Sequence, residues 1–294
     1  MYSVVVTTKD RPDYLYRCLL SISKSTVKPN DIVVINDGGI KIECSTYSSL
    51  QLNLTIINHD DSKGANYCRN LGVSLSKQEV VFFLDDDDAV SKDSFESRLM
   101  KFQESPDVGL VYTGIQIVKS NQLDLVTRTV IPKTVECYEH DLLAVGNIVG
   151  STSRVGVRKS FFYQVDGFDE SLACMQDYDL WIRMASVCEF RHDEKSGVLY
   201  TIHVDGQQIS SQYNKYLVAG NYLLHKHDKR FKQHKASRKF LSRLYYKIAS
   251  SAAPSSLSKK LKFAVKSFVV DPNIKSLVLI FVPFFILRKT ISII

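Results

Sequence analysis

No CxxC pair occurs among the six cysteines (Cys18, Cys44, Cys68, Cys137, Cys174, Cys188), and no Cys/His cluster has zinc spacing. That argues against a structural zinc module or a redox dithiol. Cys18 and Cys68 fall inside predicted helices, so we expect buried free thiols and a reducing compartment. No GxGxxG follows the first predicted strand, which argues against a dinucleotide fold. Long apolar runs are missing as well. The most apolar stretch near the end, Leu277 to Leu287, has 11 residues, contains Pro283 and runs into Arg288-Lys289. It is too short to span a bilayer, and we read it as interfacial or shallowly embedded. Met1 leads directly into SVVVTT with no basic leader, so no secretory signal is expected. Glutamate is absent from residues 226–294, which hold 16 Lys/Arg and 2 Asp, a net of +14. The whole chain carries +7, so residues 1–225 carry −7. An acidic body joined to a basic tail predicts a tail that meets an anionic surface, most simply a membrane. No recognised nucleic-acid motif accompanies the charge, so nucleic acid is not an expected partner.

What is present is organised around Glu79 to Ala89, EVVFFLDDDDA. Val80 to Leu84 read as a strand buried on both faces. Asp85 to Asp88 then stand at its carboxyl end, where open α/β sheets bind ligands. Four adjacent carboxylates raise one another's pKa unless a cation compensates. Mg²⁺ and Mn²⁺ prefer such oxygens and are commonly shared with phosphates. The bland alternative is a solvated acidic turn before a helix that Ser91 caps.

Around that strand the pattern repeats. Tyr2 to Thr8 is a strand, and Pro12 starts a helix with Leu15, Cys18, Leu19 and Ile22 on one face. Ile32 to Ile35 is a second strand ending in Asn36-Asp37-Gly38-Gly39, whose glycines would let a ligand approach the backbone. Leu52 to Asn58 is a third. Lys63-Gly64 opens a helix to about Ser76, with Cys68, Leu71 and Leu75 on its apolar face. This order implies right-handed crossovers and an α/β fold with a mostly parallel sheet, its strand ends at Thr8, Asp37 and Asp85 along one edge. Further on, Val108–Val118 and Leu123–Val130 read as a hairpin, and Ile148–Val157 as a strand. Asp177 and Asp179 head a helix carrying Leu180, Trp181 and Met184. Either aspartate alone is ordinarily a dipole partner.

Four stretches together resemble the inverting glycosyltransferases of family 2: SVVVTTKDRPDYLYRCLLSI, IVVINDGG, KGANYCRNLGVSLSKQEVVFFLDDDD and GFDESLACMQDYDLWIRMA. The resemblance covers roughly residues 2–210. It departs from the family pattern at Thr7-Thr8, Asn36, Gly39 and Gln176. It implies a GT-A fold, with a catalytic domain over 1–215 and a basic helical, membrane-associating region over 216–294. It also implies roles. Asp37 would bind the nucleotide base, and Thr7, Asp10 and Arg11 would line the nucleotide pocket. Lys63 would approach the diphosphate, and Asp86 the ribose or donor sugar. Asp87 would ligate Mn²⁺ or Mg²⁺ with Asp85 in support. Asp177 matches the family's general base. Asp169, Glu170, Gln176 and His203 would serve the acceptor side or donor closure. The implied partners are a nucleotide-sugar donor, a lipid-linked (polyprenyl diphosphate) saccharide acceptor and an anionic membrane surface. The implied place is the cytoplasmic face of the inner membrane, with the protein peripheral or monotopic. A sugar nucleotidyltransferase would need a Gly-rich loop after the first strand, and TTKDRP lacks the glycines. An inactive sugar- or lipid-binding protein would not need both Asp87 and Asp177.

In the tail, Phe240, Leu241, Leu244, Tyr245 and Ile248 form one helical stripe. Leu257, Leu261, Val265 and Phe268 form a second, beside Lys259, Lys260, Lys262 and Lys266. Basic amphipathic helices of this kind either lie on a membrane or pack on the body with a solvated lysine face.

Overall fold

The strands that carry the acidic residues are built from residues that cannot face water. In the computed structural model, which describes residues 1–204, 213–254 and 256–282, β1 (Ser3–Thr8) and β2 (Asp31–Asn36) are buried almost throughout. β3 (Leu54–Asn58) is half-buried, and β4 (Val80–Asp85) is buried up to its terminal aspartate. Parallel strands covered on both faces read this way. β1 pairs in parallel with β2 and β4, and β2 with β3. Helices α1 (Pro12–Ser23) and α2 (Ala65–Leu75) supply the crossovers. The carboxyl ends of β1, β2 and β4 therefore line one edge, as the sequence predicts.

The sheet has the order β10-β6-β9-β4-β1-β2-β3, where β6 is Val108–Tyr112, β9 Val155–Arg158 and β10 Glu189–His192. β9 runs antiparallel between β4 and β6. A second sheet has the order β5-β11-β7-β8, with β5 Ala89–Val90, β7 Ile115–Lys119, β8 Arg128–Val130 and β11 Val198–Ile202. Four expectations need correction here. Val108–Val118 is two strands in two sheets, broken at Thr113-Gly114, because Gly114 sits where a side chain would strike the carbonyl oxygens of Val130 and Lys195. Only its second half, β7, forms the antiparallel pair with β8. Ile148–Val157 is a strand only from Val155; a short 3₁₀ turn over Thr152–Arg154 precedes it. Ser91 caps no helix: α3 (Ser94–Phe102) starts after Asp93, and Ser91 Oγ donates to Asp93 Oδ1 at 3.3 Å.

The fourth correction concerns α2. Leu75 is exposed, while Asn66, Arg69, Gly72 and Val73 are buried with Cys68. Polar side chains take part of the face that hydrophobic periodicity assigns to leucines, because the sheet edge beside them is acidic. On the other side α1 buries Leu15, Cys18, Leu19 and Ile22 as expected, against Tyr2, Val4, Val6 and Phe82.

The chain divides into two compact units. One comprises residues 1–136, 149–171 and 176–204, and it contains both sheets. The other comprises 137–148, 172–175 and 205–294, and its regular elements among the described residues are all helices. In that helical unit α4 is Tyr138–Ala144, α7 Tyr213–Lys226, α8 Asp228–Gln233 and α9 Ser237–Ala252. α10 (Leu257–Val270) and α11 (Ile274–Phe281) follow. The intervening α5 (Lys159–Gln164) and α6 (Gln176–Met184) belong to the first unit. Phe240, Leu244 and Ile248 of α9 are buried, the packing alternative for that stripe. In α10 most of the apolar stripe faces outward. Leu257, Leu261 and Val265 are exposed, and Lys260, Phe263, Ala264 and Ser267 are buried. Residues 283–287 of the predicted apolar segment, with Arg288-Lys289, lie outside the described residues. No described helix is long and apolar enough to cross a membrane.

A candidate active site at the carboxyl edge of the sheet

β4 delivers its aspartates into a closed turn. Asp86 and Asp88 are buried, at 4% and 1% exposure, so this is no solvated acidic turn. Asp86 Oδ2 accepts from Thr8 Oγ1 at 2.6 Å, and Asp86 Oδ1 lies 3.4 Å from Arg11 Nη1. Burial raises the Asp86 pKa to about 6; the Thr8 bond opposes that, the Asp87 charge adds to it, and Arg11 opposes it. Asp88 accepts from the Thr201 amide at 2.8 Å, which ties the turn to β11. Burial, then the charges of Asp87 and Asp85, hold its pKa well above the carboxylate range.

Asp87 is half-buried, its side chain 18% exposed against 30% for Asp85. Its Oδ2 lies 3.0 Å from Arg11 Nη1 and 2.9 Å from His203 Nε2. Its carbonyl accepts from Arg17 Nη1 at 3.0 Å and from Thr201 Oγ1. The Tyr14 ring meets the His203 ring edge-on at 5.4 Å between centroids. His203, assigned from sequence to closure, thus stands beside the carboxylate assigned to the metal.

Asp85 is held differently. Its Oδ1 pairs with Arg69 Nη2 at 2.7 Å, and its amide donates to Ser153 Oγ at 3.0 Å. One Asp85 oxygen is therefore engaged by a guanidinium. Arg69→Leu should lower stability by about 2–3 kcal/mol, because it strands a partly buried carboxylate. An unchanged urea midpoint would contradict this.

At the end of β2, Asp37 accepts from Ser62 Oγ at 2.7 Å, the Lys63 amide at 2.6 Å and the Gly64 amide at 3.1 Å. Burial alone would raise its pKa. Hydrogen bonds from Ser62, Lys63, Cys68 and Gly64 overcome that and hold it below the usual value. Lys63 reaches Asp37 through its backbone, with its side chain exposed. Asp10, in left-handed backbone at φ 52°, accepts from the Ile40 amide at 3.0 Å. A Cβ on Gly39 would lie 2.1 Å from Asp10 Oδ1. The glycine read as room for a ligand makes room for Asp10 in this structure. The Asp37 amide donates to the Thr8 carbonyl at 2.9 Å and joins the two clusters. Thr7, half-buried, lies in register with Asp85 on one side and Ile35 on the other.

α2 also reaches the opposite side of the site. Asn66 Nδ2 donates to the Asp169 carbonyl at 2.9 Å, and Asn70 Nδ2 to Glu170 Oε1 at 2.9 Å. Asn70 Oδ1 accepts from the Phe168 amide at 2.9 Å. The Asp169 side chain accepts from Ser171, which shapes the loop. Gln176 starts α6, half-buried, and Asp177 follows in the first turn, half-buried, accepting from the Tyr178 amide at 2.8 Å. α6 is pinned by Trp181, whose Nε1 donates to the Gly150 carbonyl at 2.9 Å. Asp179 is spent on Arg183 at 2.7 Å. Tyr200 links Asp177 to the cluster. Burial and then the charges of Asp88, Asp85, Asp87 and Asp177 all push its phenol pKa up, so these carboxylates share its surroundings. Sequence reading missed Thr8, Asn66, Arg69, Asn70 and Tyr200. Of these all but Tyr200 stand inside the quoted motifs, where they were given no role.

The donor set fits a divalent cation at Asp87. A guanidinium already compensates this carboxylate, and an imidazole nitrogen stands 2.9 Å from it. Carboxylate with imidazole suits Mn²⁺ at least as well as Mg²⁺. A different set, Asp37, His59 and Cys68, also brings its ligand atoms within 4.8 Å of one another. Its thiol suits softer ions. Burial first, then the Asp37 hydrogen bond, push that thiol up to about 12, which opposes metal binding there.

A computed family profile described as "Glycosyltransferase like family 2" matches residues 3–253. An uncharacterised glycosyltransferase of Haemophilus influenzae is 25% identical over 185 residues, which are 63% of this chain and 62% of that protein. An amylovoran biosynthesis glycosyltransferase of Erwinia amylovora is 24% identical over 195 residues, 64% of this chain and 70% of that one. Among solved structures, S. aureus TarS 1–349 superposes with a TM-score of 0.61 at 15% identity, covering 92% of this chain and 81% of that one. A mannosyltransferase of Pyrobaculum calidifontis, in complex with GDP-Man and Mn²⁺, superposes with a TM-score of 0.58 at 14% identity, covering 99% and 86%. With the family profile spanning most of its length and the acidic strand end built as described, this chain belongs to glycosyltransferase family 2 and has the GT-A fold.

Proposed function

We propose that the protein is an inverting hexosyltransferase. It moves a sugar, galactose or glucose, from a UDP-linked donor to a hydroxyl of a lipid-linked saccharide. The setting is bacterial surface-polysaccharide (O-antigen) assembly at the cytoplasmic membrane face. The observation that carries the reading is Asp87, held between Arg11 and His203, sharing the surroundings of Tyr200 with Asp177. The names of similar proteins support it: one Erwinia relative serves amylovoran biosynthesis, and a TarS structure holds UDP-GlcNAc. The lipid-linked acceptor and the membrane rest on the basic tail.

In this reading Asp87 and His203 would hold the divalent cation, with Asp85, paired to Arg69, in support. When bound, the cation neutralises charge that accumulates on the departing diphosphate. Arg11, freed from Asp86 and Asp87, turns to the same phosphates. Asp37 takes the N–H of the base, for which the Ser62 hydroxyl is the donor able to turn away. Thr7 and Asp10 border that pocket, and Lys63 reaches for the diphosphate. Asp86, fixed by Thr8, faces the ribose or sugar. Asp177 accepts the proton of the acceptor hydroxyl as that oxygen attacks the anomeric carbon. Asp169, Glu170 and Gln176 shape the acceptor side. The acceptor is itself the nucleophile, so no sugar–enzyme bond forms and the centre inverts. Residues 1–215 act as the catalytic domain and 216–294 as the membrane-associating region.

A thermal-shift screen of UDP-, GDP- and TDP-sugars with Mn²⁺ tests this. A ligand that binds only the native state raises its melting temperature. A UDP-hexose is expected to give a clear upward shift that EDTA removes, with slow donor hydrolysis. If no nucleotide sugar shifts the protein or is hydrolysed, the proposal fails.

A further inference from the structure

α10 and α11 are packed with their polar groups inside. Ser242 of α9 and Ser267 of α10 are buried with hydroxyls 3.0 Å apart, and Ser267 Oγ lies 2.6 Å from Ser276 Oγ of α11. Asn273 Nδ2 donates to Ser242 Oγ at 3.2 Å. Lys260, at 1% exposure, donates to the Val282 carbonyl at 2.6 Å. Phe263, Ala264 and Leu279 complete the buried faces of α10 and α11, against Ala249, Ala252 and larger apolar residues of α9. Interhelical hydroxyl bonds and small residues thus share the inside with a few large apolar side chains.

The outer faces carry what a water-soluble helix normally hides. Leu257, Leu261, Val265 and Val269 stand four residues apart along α10, at 66%, 36%, 45% and 69% exposure. On α11, Ile274, Leu277, Val278 and Phe281 occupy one face at 76%, 39%, 41% and 76%. Exposed apolar residues scattered singly are ordinary, but an ordered stripe on two successive helices is not. Lys259, Lys262, Lys266 and Lys275 are exposed on the same two helices. They supply cations where an anionic headgroup layer would meet them. Lys266 also reaches over the Tyr245 and Phe263 rings.

We propose that this face of α10 and α11 inserts into the headgroup–acyl boundary of an anionic phospholipid bilayer. It is led by Leu257, Val265, Val269, Ile274 and Phe281, with the four lysines at headgroup level. The inference deepens the membrane attachment proposed above and rests on it. The charge selects lipid as occupant. A second copy of the same face would bring eight lysines together, whereas an anionic surface attracts every one.

The test is vesicle flotation of the full chain with phosphatidylcholine alone and with about 30% phosphatidylglycerol added, in low and high salt. The wild type should float with anionic vesicles and keep part of its binding in high salt, because apolar insertion is not screened. Val265→Glu with Phe281→Glu, both at exposed positions, should lower partitioning by about tenfold or more without changing the melting temperature or donor hydrolysis. As a second readout, Val269→Trp should show a blue-shifted emission on adding anionic vesicles; the single native tryptophan, Trp181, is already buried. If the wild type floats and the glutamate variant floats equally, with no blue shift, the attachment is electrostatic; the face proposal falls and the membrane reading stands. If the wild type binds no vesicles, both fall. A dimer in solution that the glutamate variant dissociates would assign the face to a second copy and overturn the proposal.

Discussion

Asp87→Ala is expected to remove most sugar transfer and leave the fold intact. The side chain sits past the end of β4, and its contacts are Arg11, itself 43% exposed, and His203. Losing such a pair costs stability about 1 kcal/mol or less. The chemical loss is larger. The variant would lack the carboxylate that, with His203, makes the proposed cation site. Charge stabilisation by a metal is worth several kcal/mol, so the rate should fall by about 10²–10³ or more. EDTA should act on the wild type in the same way, and Mn²⁺ or Mg²⁺ should restore it. The check is donor hydrolysis and transfer beside a melting curve. Full turnover in EDTA would sink the metal assignment, and a collapsed melting temperature would make Asp87 a structural residue.

Asp177→Asn should lower kcat by about 10²–10⁴, the usual worth of a positioned general base. The amide keeps the size and the contact to the Tyr178 backbone, so α6 should stay in place. It cannot take a proton from the acceptor. Donor affinity should change little, because the side chain stands on α6 and not on the strands that carry Asp37 and Asp86. Isothermal titration with a UDP-sugar separates the two effects. Equal losses of binding and turnover would return Asp177 to the role of helix-dipole partner.

Much of the donor half was legible in the sequence, because its residues occupy the ends of buried strands. Val80 to Leu84 cannot face water, so the place of Asp85 to Asp88 follows. The rest was hidden for two physical reasons. Arg69, Asn66 and Asn70 lie on a helix face where periodicity points only to apolar residues, and their inward turn depends on carboxylates and carbonyls distant in sequence. Tyr200 and His203 come from β11 and the residues just past it. Their meeting with Asp87 and Asp88 is set by the pairing of β5 with β11, a long-range contact with no local signature. In the tail the apolar stripe on α10 and the choice between lipid and packing were visible in the sequence. What packs inside was not, because small side chains such as Ser242 and Ser267 give no sign that they form the buried face.

Helix α2 makes one demand on anyone who redesigns this enzyme. Arg69 grips Asp85, and Asn66 and Asn70 grip residues 168–170. Exchanging the 168–170 segment for that of a relative with a different acceptor would leave two asparagines searching for carbonyls and amides that have moved. A working chimera has to import α2 together with the loop, and the imported helix must still bring an arginine to Asp85. Swapping the loop alone would give an enzyme impaired toward both acceptors; the unit of exchange is the helix–loop pair.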